Sequence, residues 1–161
     1  MIIIYLALFA SLLFLTNYIS YSFLKERIIA RRNWQLNICS GKTDGGGLNV
    51  DIVKHAQLPN FIQIKDIYNL PFPDNNFDNV LCSHTMEHVE IPKKFYNELK
   101  RVGKNVKIVI PPLWDLSAAF NFLEHKWLFL TLKKEHSSLP PYIKLPLSRI
   151  FQKKFGQCIK A

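Results

Sequence analysis

Charge is missing from the start of this chain. Met1 to Leu24 contains no charged side chain, and all 21 Lys and Arg and all 12 Asp and Glu lie between Lys25 and Lys160. Cysteine is scarce: Cys39, Cys82 and Cys158 stand far apart with no C-x-x-C spacing. That set argues against a disulfide framework or a zinc ribbon, and it fits a reducing compartment. Cys39 and Cys82 sit in apolar runs, where a buried free thiol is the simplest reading. No internal repeat or low-complexity tract is present. The length of 161 residues gives room for one domain with a sizeable core.

What the first segment does contain is Ile, Leu, Phe and Ala, with softer polar residues (Thr16, Asn17, Ser20, Ser22) toward its end. A helix needs about 20 apolar residues to cross a bilayer core, so the segment predicts one transmembrane helix. A cleaved signal peptide would carry its basic residues before the apolar run. Here Lys25, Arg27, Arg31 and Arg32 come after it. By the positive-inside bias they predict a single-pass membrane protein with its domain in the cytoplasm, and they suit anionic lipid head groups. The expected organisation is an anchor at 1–24, a basic juxtamembrane linker at 25–33 and one domain at 34–161, with its core at 34–112 and a lid or C-terminal region at 113–161. The formal net charge of +9 raises the question of nucleic acid. Four of those charges belong to the linker and the rest are scattered, so no nucleic-acid partner is expected.

After the linker, short apolar runs alternate with turn-rich gaps. Strands are predicted at Trp34–Cys39, Leu48–Ile52, Phe61–Ile64, Phe77–Cys82 and Val106–Ile110, the last stopped by Pro111-Pro112. Between the last two strands, Ile91, Phe95, Leu99 and Val102 recur at helical spacing while Lys93, Lys94, Glu98, Lys100 and Arg101 take the other face. Pro92 suits the first turn of that helix and Gly103 its end. Strand, amphipathic helix and strand make a βαβ unit, hence a parallel sheet. The expected fold is α/β, a Rossmann-like three-layer α/β/α sandwich with a mostly parallel sheet. Beyond Pro112 the pattern weakens: Leu116 to Leu132 reads as a helix over the sheet or a lid, His125 and Trp127 as packing within it, and Leu147 to Phe155 as a short basic helix. No convincing antiparallel hairpin is legible between Leu113 and Ala161.

In an open parallel sheet, ligands bind outside the carboxyl ends of the strands. Ser40 and Gly41, Asp51, Asp66, and Ser83-His84 collect there. A carboxylate at the end of the second strand is placed to accept from ribose hydroxyls, and one at the end of the third from an exocyclic amine of adenine. The residues Leu36 to Gly41, Asn49-Val50-Asp51, the run Asp66 to Asp78 with its Leu70-Pro71-Phe72, and Ser83-His84-Thr85-Met86-Glu87-His88 together resemble class I methyltransferases of the type 11 kind, over roughly residues 34–112. The resemblance implies S-adenosylmethionine as cofactor. It implies Asn37 in the binding strand, Ser40 and Gly41 against the methionine portion, Asp51 on the ribose, Asp66 and Ile67 on adenine, and Ser83 and His84 beside the transferred methyl. His84 is the candidate base; the acceptor is undefined. Relatives carry Gly where Cys39 stands and often another near Thr43, and glycine there permits positive φ and close approach. Lys42 to Gly47 is also too short for the usual first crossover helix.

Other readings of the same residues are weaker. Gly41-Lys42-Thr43 lacks both the upstream glycine and the downstream helix of a phosphate-binding loop. His84-Thr85-Met86-Glu87-His88 matches H-x-x-E-H, an inverted zinc-peptidase pattern. Zinc requires a third protein ligand; Glu124 and Glu135 are available without either being singled out, and no metal set is assigned. The principal alternative to methyl transfer is a non-catalytic, membrane-tethered module that keeps the fold.

Overall fold

The computed structural model describes residues 1–146 and 148–154. It opens with α1 (Ile2–Tyr18), which passes through a π-helical stretch at Ile19–Lys25 into α2 (Glu26–Ile29). The three form one helix of 28 residues, long and apolar enough to cross a membrane, with a mean hydropathy of 2.1 in its most apolar window. No residue of α1 is buried, but Ser20, Lys25, Ile28 and Ile29 are buried against the body of the protein. The helix thus joins the domain rather than ending ahead of it.

The sheet comprises β1 (Leu36–Ile38), β2 (Leu48–Asp51), β3 (Phe61–Gln63), β4 (Phe77–Ser83) and β5 (Gly103–Val109), all parallel, in the order β3-β2-β1-β4-β5. Between β4 and β5 runs α3 (Pro92–Val102). It buries Pro92, Phe95, Leu99 and Val102, at the spacing that produces one apolar face. Ile91, expected on that face, is instead the residue before the helix and is exposed. Past β5 come the single turn α4 (Leu116–Ala119), then β6 (Trp127–Phe129), β7 (Glu135–His136), β8 (Tyr142–Lys144) and α5 (Ser148–Lys154). β7 lies antiparallel beside β5, and β6 pairs with β8 in a separate antiparallel ribbon. The C-terminal region therefore does carry antiparallel strands. They are invisible to sequence pattern because β7 is two polar residues with no alternation. Of the expected basic helix, α5 is seen; Leu147 and Phe155, like Cys158, lie outside the described residues.

One face of the sheet holds the main core: Leu36, Ile38, Val50, Val80, Cys82, Val106 and Ile108 pack against Phe95, Leu99 and Val102 of α3. One connection that lacks a helix still fills it. After β3, Ile64, Ile67 and Leu70 are buried at every third position. Arg101 clamps the rest of that loop, donating to the carbonyls of Leu70 and Phe72 at 2.9 and 2.8 Å and pairing with Glu98 and Asp74, both at 2.7 Å. Among the described residues, the other face has no crossover helix. There Ile28 and Ile29 of the N-terminal helix, with Trp34, cover Leu81 and Val109, and the Trp34 indole N–H donates to the Ile28 carbonyl at 3.2 Å. The end of the N-terminal helix supplies the third layer.

The short β1–β2 connection is held by a buried amide pair. Asn37 Nδ2 donates to Asn49 Oδ1 at 2.9 Å and to the Thr43 carbonyl at 2.8 Å, while Asn49 Nδ2 donates to Asp44 Oδ1 at 2.9 Å. Gly45 and Gly47 lie so close to Asn37 and to the Trp34 and Gln35 carbonyls that a Cβ on either would collide. A tight glycine loop pressed on polar side chains replaces the usual first helix.

Candidate functional site

At the carboxyl ends of β1, β2 and β4 is a cleft of about 180 Å³, lined by Cys39, Gly41, Asp51, Ile52, Val53, His55, Ile67, His84, Thr85, His88 and Val89. Backbone strain marks both edges. Cys39 comes directly after β1 at φ +53° and His84 directly after β4 at φ +53°, left-handed conformations that L-residues adopt rarely. Cys39 therefore keeps the turn that a glycine would make without strain. Burial, then Cys82 and Asp51, push its thiol well above the ordinary value.

Gly41 sits at φ +56° on the cleft wall, and a Cβ built there would meet nothing within 4 Å. Asp51 is buried; its Oδ2 accepts from the Gly41 N–H at 2.8 Å and its Oδ1 from the Ile52 N–H at 2.7 Å. Each oxygen retains a second lone pair for a ligand hydroxyl. Ser40 Oγ and Ser83 Oγ are buried without a hydrogen-bond partner. Neither serine lines the cleft; the open glycine beside a fixed carboxylate is what fits a polar nucleoside-type ligand. Asp66 is exposed and accepts from the Tyr68 N–H at 2.8 Å, while Ile67 turns into the cleft. Asn37 is not brought there: it alternates with Leu36 and Ile38 and serves the opposite face of the sheet through Asn49 and Thr43.

Beside this cleft lies a second, of about 520 Å³, sharing His84 and His88 with it and reaching Asn17, Tyr21, Ser117, Asn121, Glu124 and His125. Two of its walls belong to the N-terminal helix: Asn17 Nδ2 donates to the Asp115 carboxylate at 3.3 Å, and the Tyr21 ring stands edge-on to His84 at 5.2 Å. His84 has a polar neighbour at each nitrogen. Nε2 is 2.8 Å from Lys134 Nζ, which also donates to Ser20 Oγ at 2.8 Å, and Nδ1 is 3.2 Å from Glu87 Oε1. The Lys134 ammonium donates, which leaves Nε2 as acceptor and puts the ring proton on Nδ1. Burial pushes the imidazole of His84 below its ordinary value, and that of His125 down to about 4. Burial also brings Lys134 down to about 8. Glu87 is the deepest of the group; burial opposes its ionisation, yet His84, then His88 and His125, hold it down to about 2.

Of the residues expected from sequence, Gly41, Asp51, Ile67 and His84 line the cleft, while Ser40, Asp66 and Ser83 do not. Sequence pattern misses the association of His125 with Glu87 and His88, since nothing in spacing connects residues so far apart. The joining contact is backbone: the N–H groups of Lys126 and Trp127 both donate to the Glu87 carbonyl, at 2.7 and 3.2 Å.

A parallel sheet in this order, with an antiparallel strand beside β5 and a cleft over the acidic end of β2, is a Rossmann-like α/β arrangement. Residues 46–110 match the family model described as "Methyltransferase domain", a stretch running from the glycine loop to the end of β5. An uncharacterised protein of Methanocaldococcus jannaschii is 38% identical over 58 residues, covering 36% of this chain and 25% of that one. This chain therefore spans about a quarter of the curated relative it matches. Among solved structures, the YcgJ protein from Bacillus subtilis is similar at a TM-score of 0.44 and 20% identity, over 61% of this chain and 57% of that one. A SAM-dependent methyltransferase from Aquifex aeolicus is similar at 0.41 and 20%, over 58% and 66%.

Proposed function

We propose that this chain transfers a methyl group from S-adenosylmethionine to an acceptor presented at the cytoplasmic face of a membrane. The observation that carries the reading is the strand-end cleft, where Gly41 leaves open backbone and Asp51 is fixed against it. Ser40 and Gly41 would take the methionine portion, Asp51 the ribose, Asp66 and Ile67 the adenine, with Ser83 and His84 nearest the reacting centre. The cofactor supplies an activated sulfonium methyl. The chain's own contribution is alignment of the acceptor and exclusion of water. For His84 Nε2 to take a proton, Lys134 must first withdraw from it.

The membrane part of the reading rests on the N-terminal helix. Leu13 and Thr16 are already half-buried and Asn17 bonds to the domain, so the exposed portion up to Leu12 spans only about 18 Å, against a hydrocarbon core of ~30 Å. The domain would then sit against the head groups, with the larger cleft opening beside the last turns of the helix. Lys25, Arg27, Arg31 and Arg32 would lie at that level. The anchor assigned to 1–24 and the linker at 25–33 would accordingly share residues with the domain at 34–161.

The non-catalytic module is the second reading, favoured by the size of the cofactor cleft: about 180 Å³, below the roughly 300–1,000 Å³ usual for small-molecule sites. Calorimetric titration of the full chain in detergent, with S-adenosylmethionine and with S-adenosylhomocysteine, separates the two. Saturable binding supports the enzyme reading; no binding by folded protein supports the module.

A further inference from the structure

We propose that Glu87, His88 and His125 form a binding site for a first-row divalent metal ion, zinc by the nature of the donors. One ligand atom from each of the three lies within 4.8 Å of the other two. Around a tetrahedral zinc with bonds near 2.0–2.1 Å, ligand atoms stand about 3.3 Å apart. Binding would draw these atoms together by up to about 1.5 Å.

The site is built rather than incidental. Glu87 is 1% exposed, and neither of its carboxylate oxygens has a hydrogen-bond partner. Its neighbour His84 is within ion-pair distance of Oε1 but is not aligned to donate. A buried carboxylate without hydrogen bonds is a costly arrangement that a cation relieves. His88 Nδ1 is 3.0 Å from the Glu124 carbonyl, an acceptor, so Nδ1 carries the proton and Nε2 keeps the lone pair. A backbone carbonyl on the far nitrogen is how metal-binding imidazoles are commonly oriented. The rings of His88 and His125 stand edge to face at 4.8 Å, and the backbone bonds from Lys126 and Trp127 to Glu87 fix His125 in place.

Two imidazoles and one carboxylate favour zinc over magnesium or calcium, which prefer oxygen alone. Three protein ligands leave a fourth position open, and His88 and His125 both line the 520 Å³ cleft. The ion would therefore stand between the two clefts. An acceptor hydroxyl or thiol coordinated there would lose its proton near neutral pH. That consequence rests on the methyl-transfer reading; the metal site does not.

The test is zinc titration of the full chain in detergent, stripped with a chelator beforehand and free of S-adenosylmethionine, and then cobalt substitution. One equivalent of zinc should bind, and His125→Ala and Glu87→Gln should each weaken it at least about tenfold. His136→Ala, away from the site, should bind zinc as the parent does. Cobalt in the parent chain should give the strong visible bands of a four- or five-coordinate ion, which reports on the site even if a variant fails to fold. Absence of saturable zinc binding by folded parent chain, zinc binding unchanged in folded His125→Ala, or a weak octahedral cobalt spectrum would each overturn the proposal. None of these readouts depends on the cofactor, so the metal site and the methyl-transfer reading can fail separately.

Discussion

The carboxylate of Asp51 accepts the backbone N–H of Gly41 at 2.8 Å, tying the end of β2 to the turn after β1. Asp51→Ala removes both that tie and the acceptor offered to a ribose. Calorimetry should show S-adenosylmethionine binding weakened at least about tenfold, the loss of a hydrogen bond to a charged group being worth roughly 1.5–3 kcal/mol. Asp66→Ala, at an exposed position, should weaken it less. Normal binding in both variants would sink the site assignment and leave the fold intact.

Cys39 occupies a left-handed conformation at φ +53°, a position where the family resemblance predicts glycine. That conformation costs an L-residue about 1–2 kcal/mol, offset by the packing of the thiol against the core. Cys39→Gly should therefore leave stability within about 1 kcal/mol of the parent, while Cys39→Val should lower it clearly, because branching at Cβ worsens the strain. Thermal unfolding of the three chains ranks them. A more stable Val variant would contradict the strain argument.

A Cβ at residue 47 would run into the backbone carbonyls of Trp34 and Gln35. Backbone cannot swing aside as a side chain can. Gly47→Ala should cost about 2 kcal/mol or more, whereas Gly41→Ala meets open space and should cost only its positive φ, about 1 kcal/mol. Gly41→Ala should act chiefly on cofactor binding. Urea unfolding and calorimetry on both variants give the comparison; equal stability losses would refute the collision.

Lys134 titrates at about 8 in the fold because burial disfavours its ammonium, against about 10.4 in an unfolded chain. The unfolded chain therefore binds more protons between those values, so stability rises with pH across that window and is lowest below it. Lys134→Met should flatten the rise, a difference of at most about 3 kcal/mol. Melting temperatures of parent and variant at pH 7 and pH 10 test it. Parallel curves would mean that Lys134 is solvated in solution.

The basic residues after the apolar helix predict a cytoplasmic domain. A reporter fused after Ala161 should score as cytoplasmic in cells, and changing Lys25, Arg27, Arg31 and Arg32 to neutral residues should erode that bias. An outside signal from the parent fusion would overturn the orientation.

Much of this architecture is written in local pattern. The five parallel strands are short apolar runs bounded by turn residues, and α3 announces itself by an apolar face of period near 3.6. Asp51 at the end of β2 and the Ser40-Gly41 turn could be placed because a strand's last residue locates the polar positions directly after it. The antiparallel β7 could not, since Glu135-His136 has neither length nor alternation. Nor could the role of Ile28 and Ile29, which read as part of a basic linker until they are seen covering Leu81 and Val109.

The apolar N-terminal helix, the parallel strands and the residues at their carboxyl ends are legible from the order of amino acids alone, because hydrophobic period and turn chemistry act over a few neighbouring positions. Three outcomes needed the folded chain: the cover over the sheet's second face, the Asn37–Asn49 pair and glycine loop that stand in for a helix, and the meeting of His125 with Glu87 and His88. They depend on packing and buried hydrogen bonds between segments distant in the chain, and no local pattern encodes which distant segment will fill a given space.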